Sequence, residues 1–255
     1  MAHLSLFLDL DGTLIDIAGH PDTVSVPAIL PQILQRLDQR LGGALAIASG
    51  RNISVLDQLL FPYQGAAIGV HGLEYRAQDG RIQLNPLVTS TVTLRHEVAN
   101  IARHYSGAFI EDKGSAIAVH ERGTEAAAVS LAEALNDLCA RLASGWHCLP
   151  GRRVVEIKPI GVDKGTGLES AMRQPPFSGT RPVVIGDDIT DLDMFAAATR
   201  LGGLTMAVGD RITDDAHLHL QSPAAVLRFL DCWSTSDKAD NLADIEALAH
   251  EVAAA

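Results

Sequence analysis

Two carboxylates at the start of this sequence are placed where they could act together. Asp9 and Asp11 end the apolar segment 4–10, and Gly12 and Thr13 follow them. Side chains two residues apart share one face of an extended chain, so both carboxylates should leave the end of a strand together. Carboxylates so close repel each other, which favours a divalent cation, a protonated acid, or both. The alternative is an ordinary polar turn, for which Asp-Gly is well suited.

A second acidic cluster follows the apolar segment 182–185, where the sequence continues as Gly-Asp-Asp-Ile-Thr-Asp. Asp187, Asp188 and Asp191 therefore stand after another predicted strand and at the start of a predicted helix. Oxygen ligands from two strand ends suit Mg²⁺, which takes one or two carboxylates together with waters and a substrate phosphate. On this motif alone, helix capping by the same aspartates is an equal alternative.

Two weaker motifs supply a hydroxyl group and a lysine. Ser49, Gly50 and Arg51 follow the apolar segment 44–48. A hydroxyl and backbone amides at the start of a helix can bind phosphate, although Ser-Gly is also ordinary turn chemistry. Lys164 lies in an Asp-Lys-Gly motif before a predicted helix. There it could neutralise a phosphate or hold an aspartate, or it could be a solvated lysine.

The elements that carry these motifs alternate between short apolar runs and amphipathic segments. The predicted strands are 4–10, 44–48, 66–70, 182–185 and 206–208, and the predicted helices include 29–41, 53–60, 189–198 and 239–255. This alternation predicts an α/β fold with right-handed crossovers and a Rossmann-like, doubly wound parallel sheet. Sites in such sheets lie at the carboxyl ends of the strands, where the motifs stand.

The alternation stops near Glu74 and resumes after Pro159. The intervening pattern is a hairpin, a helix, a strand–turn–strand, a second helix and a strand, predicted over 74–84, 88–105, 108–121, 126–142 and 154–158. We therefore predict an α+β domain inserted at 76–158 into a discontinuous core of 1–75 and 159–235. Residues 236–255 are expected to form a peripheral or frayed helical tail.

Composition narrows the class of partner. The chain has 255 residues, 47% of them hydrophobic, and a formal net charge of −11. Such a charge argues against nucleic acid and acidic membranes, but not against a small anion held by local cations. The three cysteines form no Cys-x-x-Cys pair, which makes a disulfide framework or a structural zinc site improbable. No apolar run suits a signal peptide or a membrane span, so a cytoplasmic location is expected.

Taken in chain order, the four motifs resemble those of the haloacid-dehalogenase-like (HAD) phosphatase superfamily. The resemblance implies that Asp9 is the nucleophile, forming an aspartyl-phosphate, and that Asp11 is its general acid and base. It implies that Ser49 and Lys164 hold the phosphoryl group. Mg²⁺ would be bound by Asp9, Asp187 and the backbone carbonyl of Asp11, with Asp188 and Asp191 supporting those ligands.

The position of the inserted domain makes the resemblance more specific. This superfamily carries its C2-type cap between the second and third motifs, where the insert lies here. Local sequences at 69–74, 110–115, 119–122 and 155–159 are similar to the trehalose-6-phosphate phosphatase family. That family implies trehalose 6-phosphate as the substrate and a trehalose-phosphate synthase in the same pathway. The candidate substrate-binding residues are Gly50, Arg51, His71, Glu74, Arg76, Glu111, Lys113, Glu156 and Lys158. Leu192 departs from the family pattern, which usually has glutamate there.

Two alternatives stay open at this point. The chain could be a phosphatase or phosphomutase for another sugar phosphate, such as a sucrose or hexose phosphate, because the cap selects the substrate. More remotely, it could be a phosphoacceptor signalling module, since receiver domains also combine clustered aspartates, a hydroxyl, a lysine and Mg²⁺. Receiver domains lack the Asp-x-Asp-Gly-Thr sequence and an inserted domain of this size.

Overall fold

The computed structural model describes residues 3–17, 23–87, 92–141, 145–151, 153–237 and 239–253. Its contacts divide the chain into two compact units. The core unit comprises Met1–Gln83 and Asp163–Ala255, and the inserted unit comprises Leu84–Val162. The described part of the chain contains no helix with the length and hydropathy that a bilayer span requires.

The elements follow one another in this order. The amino-terminal part contains β1 (Leu4–Leu8), α1 (Leu30–Arg40), β2 (Leu45–Ala48), α2 (Ile53–Leu60), β3 (Ala66–Gly69), β4 (Glu74–Arg76) and β5 (Ile82–Leu84). The middle contains α3 (Val92–Ala102), β6 (Ala108–Asp112), β7 (Ile117–Glu121), α4 (Glu125–Arg141), β8 (Trp146–Gly151) and β9 (Val154–Pro159). The last part contains α5 (Lys164–Met172), β10 (Arg181–Gly186), α6 (Leu192–Arg200), β11 (Leu204–Val208), β12 (Leu218–Leu220), α7 (Pro223–Thr235) and α8 (Leu242–Ala253).

The core unit is built on a sheet with the strand order β12-β11-β10-β1-β2-β3-β4-β5. The pairs from β12 to β3 are parallel, and β4 joins β3 antiparallel. β1 is central and all five of its residues are buried, as expected for a parallel strand covered on both faces. Alternate residues serve opposite faces, with Leu6 and Leu8 in one apolar cluster and Phe7 in the other.

Helices cover both faces of this sheet. Ile33 of α1, Phe229 of α7 and Ile245 of α8 pack into the cluster that contains Leu6. Leu168 of α5 and Phe195 of α6 pack into the cluster that contains Phe7. The predicted α/β class with a doubly wound parallel sheet is therefore confirmed.

The inserted unit has a four-stranded antiparallel sheet in the order β6-β7-β9-β8. α3 and α4 supply the apolar partners of one face, where Val98 and Leu135 pack with Ile117, Val119 and other core residues. Because side chains alternate along a strand, the opposite face takes the intervening residues of β7 and β9. These are largely polar. We refer to this side as the polar face, comprising Glu111, His120, Glu156 and Lys158 with Lys113 beside it.

The domain boundaries differ from those predicted. The prediction places the inserted domain from residue 76, which includes most of the hairpin over 74–84, but β4 pairs with β3 and extends the core sheet. Glu74 and Arg76 therefore belong to the core unit, whose contacts end at Gln83 and resume at Asp163. Periodicity indicates a hairpin without indicating which sheet it joins. Whether the inserted unit acts as a cap stays a prediction.

Other elements were missed or misjudged. β8, β12 and α7 were not predicted. The helix predicted over 239–255 is present as α8, but it packs on the core instead of being peripheral. Ile245, Ala249 and Val252 of α8 are buried in the core because their i, i+4, i+7 spacing forms an apolar stripe. Helix 88–105 is shorter than predicted, since α3 ends at Ala102 and residues 88–91 lie outside the described residues.

Candidate functional site

Three neighbouring parallel strands of the core sheet are each followed by a predicted site residue, so these residues lie together at the carboxyl end of the sheet. Asp9 follows β1, Ser49 follows β2 and Asp187 follows β10, and β1 lies between the other two strands. The backbone N–H of Asp9 donates to the carbonyl of Ile185, which keeps the ends of β1 and β10 in register. The first and last sequence motifs, almost 180 residues apart, therefore lie next to each other at the carboxyl end of the sheet.

Lys164 lies buried between two of the aspartates. Its Nζ donates to Asp9 Oδ1 at 2.5 Å and to Asp191 Oδ1 at 2.7 Å. The lysine is the first residue of α5, and Asp163 caps that helix by accepting from the N–H of Thr166. The cap fixes the start of α5 and with it the stem of Lys164. Of the three possibilities that the sequence leaves open for Lys164, the structure shows the one in which the lysine holds an aspartate.

Asp191 is fully buried, and the contacts of its carboxylate organise the loop after β10. Oδ2 accepts from the backbone N–H groups of Asp187 and Asp188, at 3.0 and 3.1 Å, while Oδ1 faces Lys164. Gly186 is required here because a Cβ on it would lie 2.5 Å from the Asp191 Cγ. Asp191 therefore positions both Lys164 and the Asp187 backbone.

Asp187 is held by the first motif. Thr13 Oγ1 donates to Asp187 Oδ1 at 3.2 Å. Gly12 has φ +91°, and a side chain there would collide with the Asp187 carboxylate. No contact of Thr13 or Gly12 is predicted from the sequence, although both belong to the Asp-x-Asp-Gly-Thr motif. Their contacts explain why the motif extends beyond its two carboxylates.

The local charge of this cluster fits a divalent cation. Oxygens of Asp9, Asp187 and Asp191 lie within 4.8 Å of one another, and Lys164 is the cation between them. Three carboxylates and one ammonium leave two negative charges, the charge that one divalent ion would balance. Carboxylate oxygens are the donors that Mg²⁺ prefers. Because both Asp191 oxygens already accept hydrogen bonds, Asp9 and Asp187 are better placed as ligands than Asp191.

The shifted pKa values of these groups have the same cause, the burial and close approach of the carboxylates. Burial, followed by the carboxylates of Asp191 and Asp187, raises the pKa of Asp9 well above its usual range, against the opposing charge of Lys164. Burial and then Asp191 raise the pKa of Asp187 to about 6. Burial alone would lower the pKa of Lys164, but Asp191 and Asp9 outweigh it and raise that pKa. The cluster therefore holds more negative charge than Lys164 alone can stabilise.

Asp11 is bound differently from Asp9. Arg51 Nε and Nη2 donate to its two carboxylate oxygens, both at 2.7 Å, in a bidentate ion pair. The backbone N–H of Arg51 also donates to the Ser49 hydroxyl oxygen at 3.1 Å. The Ser-Gly-Arg motif thus positions Asp11 as well as offering a hydroxyl, a link that the sequence did not reveal.

His71 lies in the left-handed region of backbone conformation, with φ +52°, directly after Val70 at φ +45°. Such values are unfavourable for residues other than glycine, and most of all for a β-branched one. Hydrogen bonds hold the turn, because the N–H groups of Val70 and His71 donate to the carbonyls of Arg51 and Ser49. The His71 ring lies against Gly50, where a Cβ would collide with it.

Two of the predicted substrate residues make contacts within the core unit instead. Glu74 Oε2 accepts from the backbone N–H of Ile53 at 2.9 Å, at the start of α2. Arg76 is buried, donates to both oxygens of Asp57 at 2.6 and 2.7 Å, and reaches the carbonyl of Gly65. For Arg76 this places the guanidinium in a structural ion pair, since β4 lies beside β3 rather than in the inserted unit.

Asp188 and Leu192 lie at the start of α6. Asp188 accepts from the N–H of Ile189 and forms an ion pair with Arg211, away from the contacts of Asp187. Leu192, at the position where the resemblance predicts glutamate, packs against the apolar cluster that contains Phe195. No carboxylate role passes to position 192.

The inserted unit brings the other predicted residues together on its polar face. A 2.8 Å hydrogen bond joins Glu111 to His120, and the bond from His120 lowers the pKa of Glu111. Lys113 Nζ donates to Glu156 Oε1 at 3.2 Å, and Lys158 is buried nearby on the same strand as Glu156. His120 was not predicted as a partner of Glu111, although its alternation with Val119 in β7 indicates that it lies on this face.

Comparisons with known proteins agree with this geometry. A family model described as Trehalose-phosphatase matches residues 7–218. The "Probable trehalose-phosphate phosphatase" of Sinorhizobium fredii is 38% identical over 224 residues, which cover 88% of this chain and 84% of that protein. The "Trehalose-6-phosphate phosphatase" of Escherichia coli is 38% identical over 218 residues, which cover 83% of this chain and 80% of that protein.

Solved structures show the same fold. The C-terminal domain of C. albicans trehalose-6-phosphate phosphatase aligns with a TM-score of 0.77 and 22% identity, covering 91% of this chain and 92% of that one. A haloacid dehalogenase-like hydrolase from Bacteroides thetaiotaomicron aligns with a TM-score of 0.65 and 18% identity, covering 89% of this chain and 99% of that one. These two likenesses concern the fold.

Proposed function

Because this chain belongs to the trehalose-phosphatase family, we propose that it hydrolyses trehalose 6-phosphate to trehalose and inorganic phosphate. The observation that carries the proposal is the buried arrangement of Asp9, Lys164 and Asp191 beside Asp187, in a chain that matches the family over residues 7–218. A trehalose-phosphate synthase would supply the substrate. A cytoplasmic location stays a prediction that cell fractionation would test.

Asp9 is the proposed nucleophile. An Asp9 carboxylate oxygen attacks phosphorus, the bond between phosphorus and the sugar oxygen breaks, and an aspartyl-phosphate forms. The sugar oxygen takes a proton from Asp11. Asp11 then takes a proton from water, whose oxygen attacks phosphorus and restores the Asp9 carboxylate. Arg51 pairs with both oxygens of Asp11, so delivery of the first proton requires this ion pair to open.

Lys164, Ser49 and Asp191 support this chemistry in distinct ways. Lys164 is 2.5 Å from Asp9, so its charge offsets the repulsion between that carboxylate and an incoming phosphate. Ser49 is buried after the end of β2, its hydroxyl oxygen accepts from the Arg51 N–H, and its O–H group is assigned to hold a phosphoryl oxygen. Asp191 keeps Lys164 charged and directed at Asp9.

Mg²⁺ is the proposed metal, with Asp9, Asp187 and the backbone carbonyl of Asp11 as its protein ligands. Such an ion would supply positive charge that lets an anionic carboxylate meet an anionic phosphate. Asp191 is assigned to support of the metal ligands through the backbone of Asp187, whereas Asp188, predicted in the same role, pairs with Arg211. The excess of two negative charges in the cluster supports a divalent rather than a monovalent cation.

Metal binding should depend on pH. In the metal-free protein the pKa of Asp187 is raised to about 6, so its folded state holds a proton that the unfolded state has already lost. The free energy of unfolding of the metal-free protein therefore falls as pH rises from about 4 to about 6. Bound metal should remove this loss of stability. We expect Mg²⁺ to raise the thermal midpoint more at pH 7.5 than at pH 5.

Calorimetry or a thermal-shift assay at the two pH values, with and without Mg²⁺, measures this difference. Asp187→Asn is the comparison variant and should lose most of the Mg²⁺-induced shift. Asp231→Asn, which changes an exposed aspartate of α7, should keep it. Equal shifts at both pH values, or a full shift in the Asp187 variant, would contradict the assignment.

Sugar recognition is assigned to the polar face of the inserted unit. Glu111, Lys113, Glu156 and Lys158 combine acceptors and donors, a chemistry that suits the many hydroxyls of a disaccharide, and Lys113 is hydrogen-bonded to Glu156 and Glu111 to His120. A site that hydrogen-bonds hydroxyls rejects analogues lacking them strongly, because its own polar groups are then unsatisfied. In the core unit, Gly50, Arg51, His71 and Glu74 remain candidate substrate-binding residues. Arg76 is the weakest candidate because its guanidinium is paired with Asp57.

The substrate is tested by a panel of sugar phosphates. We expect kcat/KM for trehalose 6-phosphate to exceed that for glucose 6-phosphate and sucrose 6-phosphate by at least about 10²-fold, since glucose leaves the contacts to a second ring unmade and the fructose ring of sucrose places its hydroxyls differently. Phosphate release measures each rate, and chromatography of the sugar product separates hydrolysis from a mutase. A higher kcat/KM for glucose 6-phosphate would overturn the substrate.

The variant Glu111→Gln tests whether the inserted unit is responsible for the preference for trehalose 6-phosphate. This change should lower kcat/KM for trehalose 6-phosphate by about 10-fold, the loss of a charged hydrogen bond, and leave p-nitrophenyl phosphate hydrolysis unchanged. Glu133→Gln, at a position in α4, is the matched control. Equal behaviour of the two variants would remove Glu111 from the sugar site.

A further inference from the structure

Two cysteines of the inserted unit lie side by side. Cys139 stands near the end of α4 and Cys148 near the middle of β8, and their Sγ atoms are 3.5 Å apart. Both are free thiols, and both pack with the apolar cluster beneath the sheet. A disulfide requires an Sγ–Sγ distance of about 2 Å, so the two sulfur atoms would have to approach each other by roughly 1.5 Å.

The two thiols are not equivalent. The contact with Cys148 lowers the pKa of Cys139, while the same contact and burial raise the pKa of Cys148. Cys139 is therefore the better nucleophile, because the thiolate is the reactive form. It is 8% exposed, so a small oxidant suits it better than a bulky one. Cys148 is more accessible and adjoins Cys139, the position of a resolving thiol.

We propose that Cys139 and Cys148 form a reversible, stabilising disulfide when the protein meets a peroxide. The Cys139 thiolate attacks a peroxide oxygen, the O–O bond breaks, and with a proton the products are a sulfenic acid and water. The Cys148 sulfur then attacks the Cys139 sulfur, its proton joins the displaced hydroxide, and a second water leaves. In balance, two thiols and one hydrogen peroxide give one disulfide and two waters.

The crosslink would join α4 to the edge strand β8. Cys148 is paired in register with Ile157 of β9, and Ile157 belongs to the apolar cluster. The alternate residues of β9, Glu156 and Lys158, serve the polar face, so the disulfide would form on the other side of the sheet. It should therefore restrain the unfolded chain without altering the proposed sugar contacts.

The test uses the full chain as Cys232→Ser, which removes the exposed third cysteine of α7. After equimolar hydrogen peroxide, we expect both remaining thiols to resist alkylation and non-reducing peptide mapping to show a 139–148 crosslink within one chain. Dithiothreitol should restore both thiols. The thermal midpoint of the oxidised form should be higher by about 5 °C, from loop closure in the unfolded state.

Two further variants, each lacking one thiol of the pair, show whether oxidation depends on both cysteines. In Cys148→Ser with Cys232→Ser, and in Cys139→Ser with Cys232→Ser, the crosslink cannot form, so dimedone should instead trap a sulfenic acid on the one remaining thiol of the pair. Thiols that still alkylate, a crosslink between chains, or oxidation of Cys139 to sulfinic acid in the variant that keeps both thiols would overturn the proposal. An unchanged or lower midpoint in the crosslinked form would overturn its stabilising role.

Discussion

Replacing Asp9 by asparagine should lower kcat for trehalose 6-phosphate by about 10⁴-fold or more while the protein stays folded. The amide has the same shape but is a poor nucleophile, so the aspartyl-phosphate cannot form. The fold should tolerate the change because it removes one of three repelling carboxylates, and the amide oxygen can still accept from Lys164. Phosphate release at saturating substrate measures the loss, and thermal unfolding confirms the fold.

The matched control is Asp231→Asn, which changes an aspartate of the same unit that pairs with Arg36 at the surface. Its kcat should stay within about two-fold of the unmodified protein, because surface substitutions away from a site have small effects. Turnover by the Asp9 variant at the rate of this control would remove Asp9 as the nucleophile.

Replacing Lys164 by methionine should damage both activity and stability. Methionine keeps the apolar stem but leaves Asp9, Asp187 and Asp191 crowded without their cation. Removing one partner of a buried ion pair costs about 3–5 kcal/mol of unfolding free energy. We expect a loss of that size in metal-free protein at pH 7.5, a smaller loss with Mg²⁺, and a decrease in kcat of about 10²–10³-fold, comparable to losing a charge-stabilising donor.

Arg36→Ala is the control for the Lys164 variant, since it also removes a cation from an ion pair. This pair is partly exposed, and exposed pairs contribute about 0–1 kcal/mol. Denaturant unfolding with and without Mg²⁺ compares the two variants. Equal destabilisation of both, or no benefit from Mg²⁺ in the Lys164 variant, would contradict the charge balance proposed for the cluster.

Much of the core site was predictable because strand ends are readable from sequence. Apolar runs ended by Asp9 and Asp187 placed both carboxylates at the carboxyl edge of a parallel sheet, and the structure brings them together. Lys164 was a weak signal by itself, since a lysine near a turn is commonly solvated. Its burial depends on α5 starting beside the end of β1, which is a tertiary fact that no local pattern contains.

The remaining contacts depend on pairings between distant segments. Arg76 was expected at a sugar, but antiparallel pairing of β4 with β3 places it against Asp57. Arg51 was expected at the substrate, and its bidentate bond to Asp11 depends on the turn between β2 and α2. β8 contains Pro150 and lacks clear alternation, so its sequence does not indicate a strand.

The central claim is that this chain is a metal-dependent trehalose-6-phosphate phosphatase. Its most direct test is phosphate release from trehalose 6-phosphate by the purified chain in Mg²⁺, after removal of metal by a chelator, and after Mg²⁺ is restored. The account predicts multiple turnovers with Mg²⁺, loss of release on chelation, and recovery on restoration. Equal release without metal, no release with Mg²⁺, or a stable phosphoprotein that frees no phosphate would contradict it.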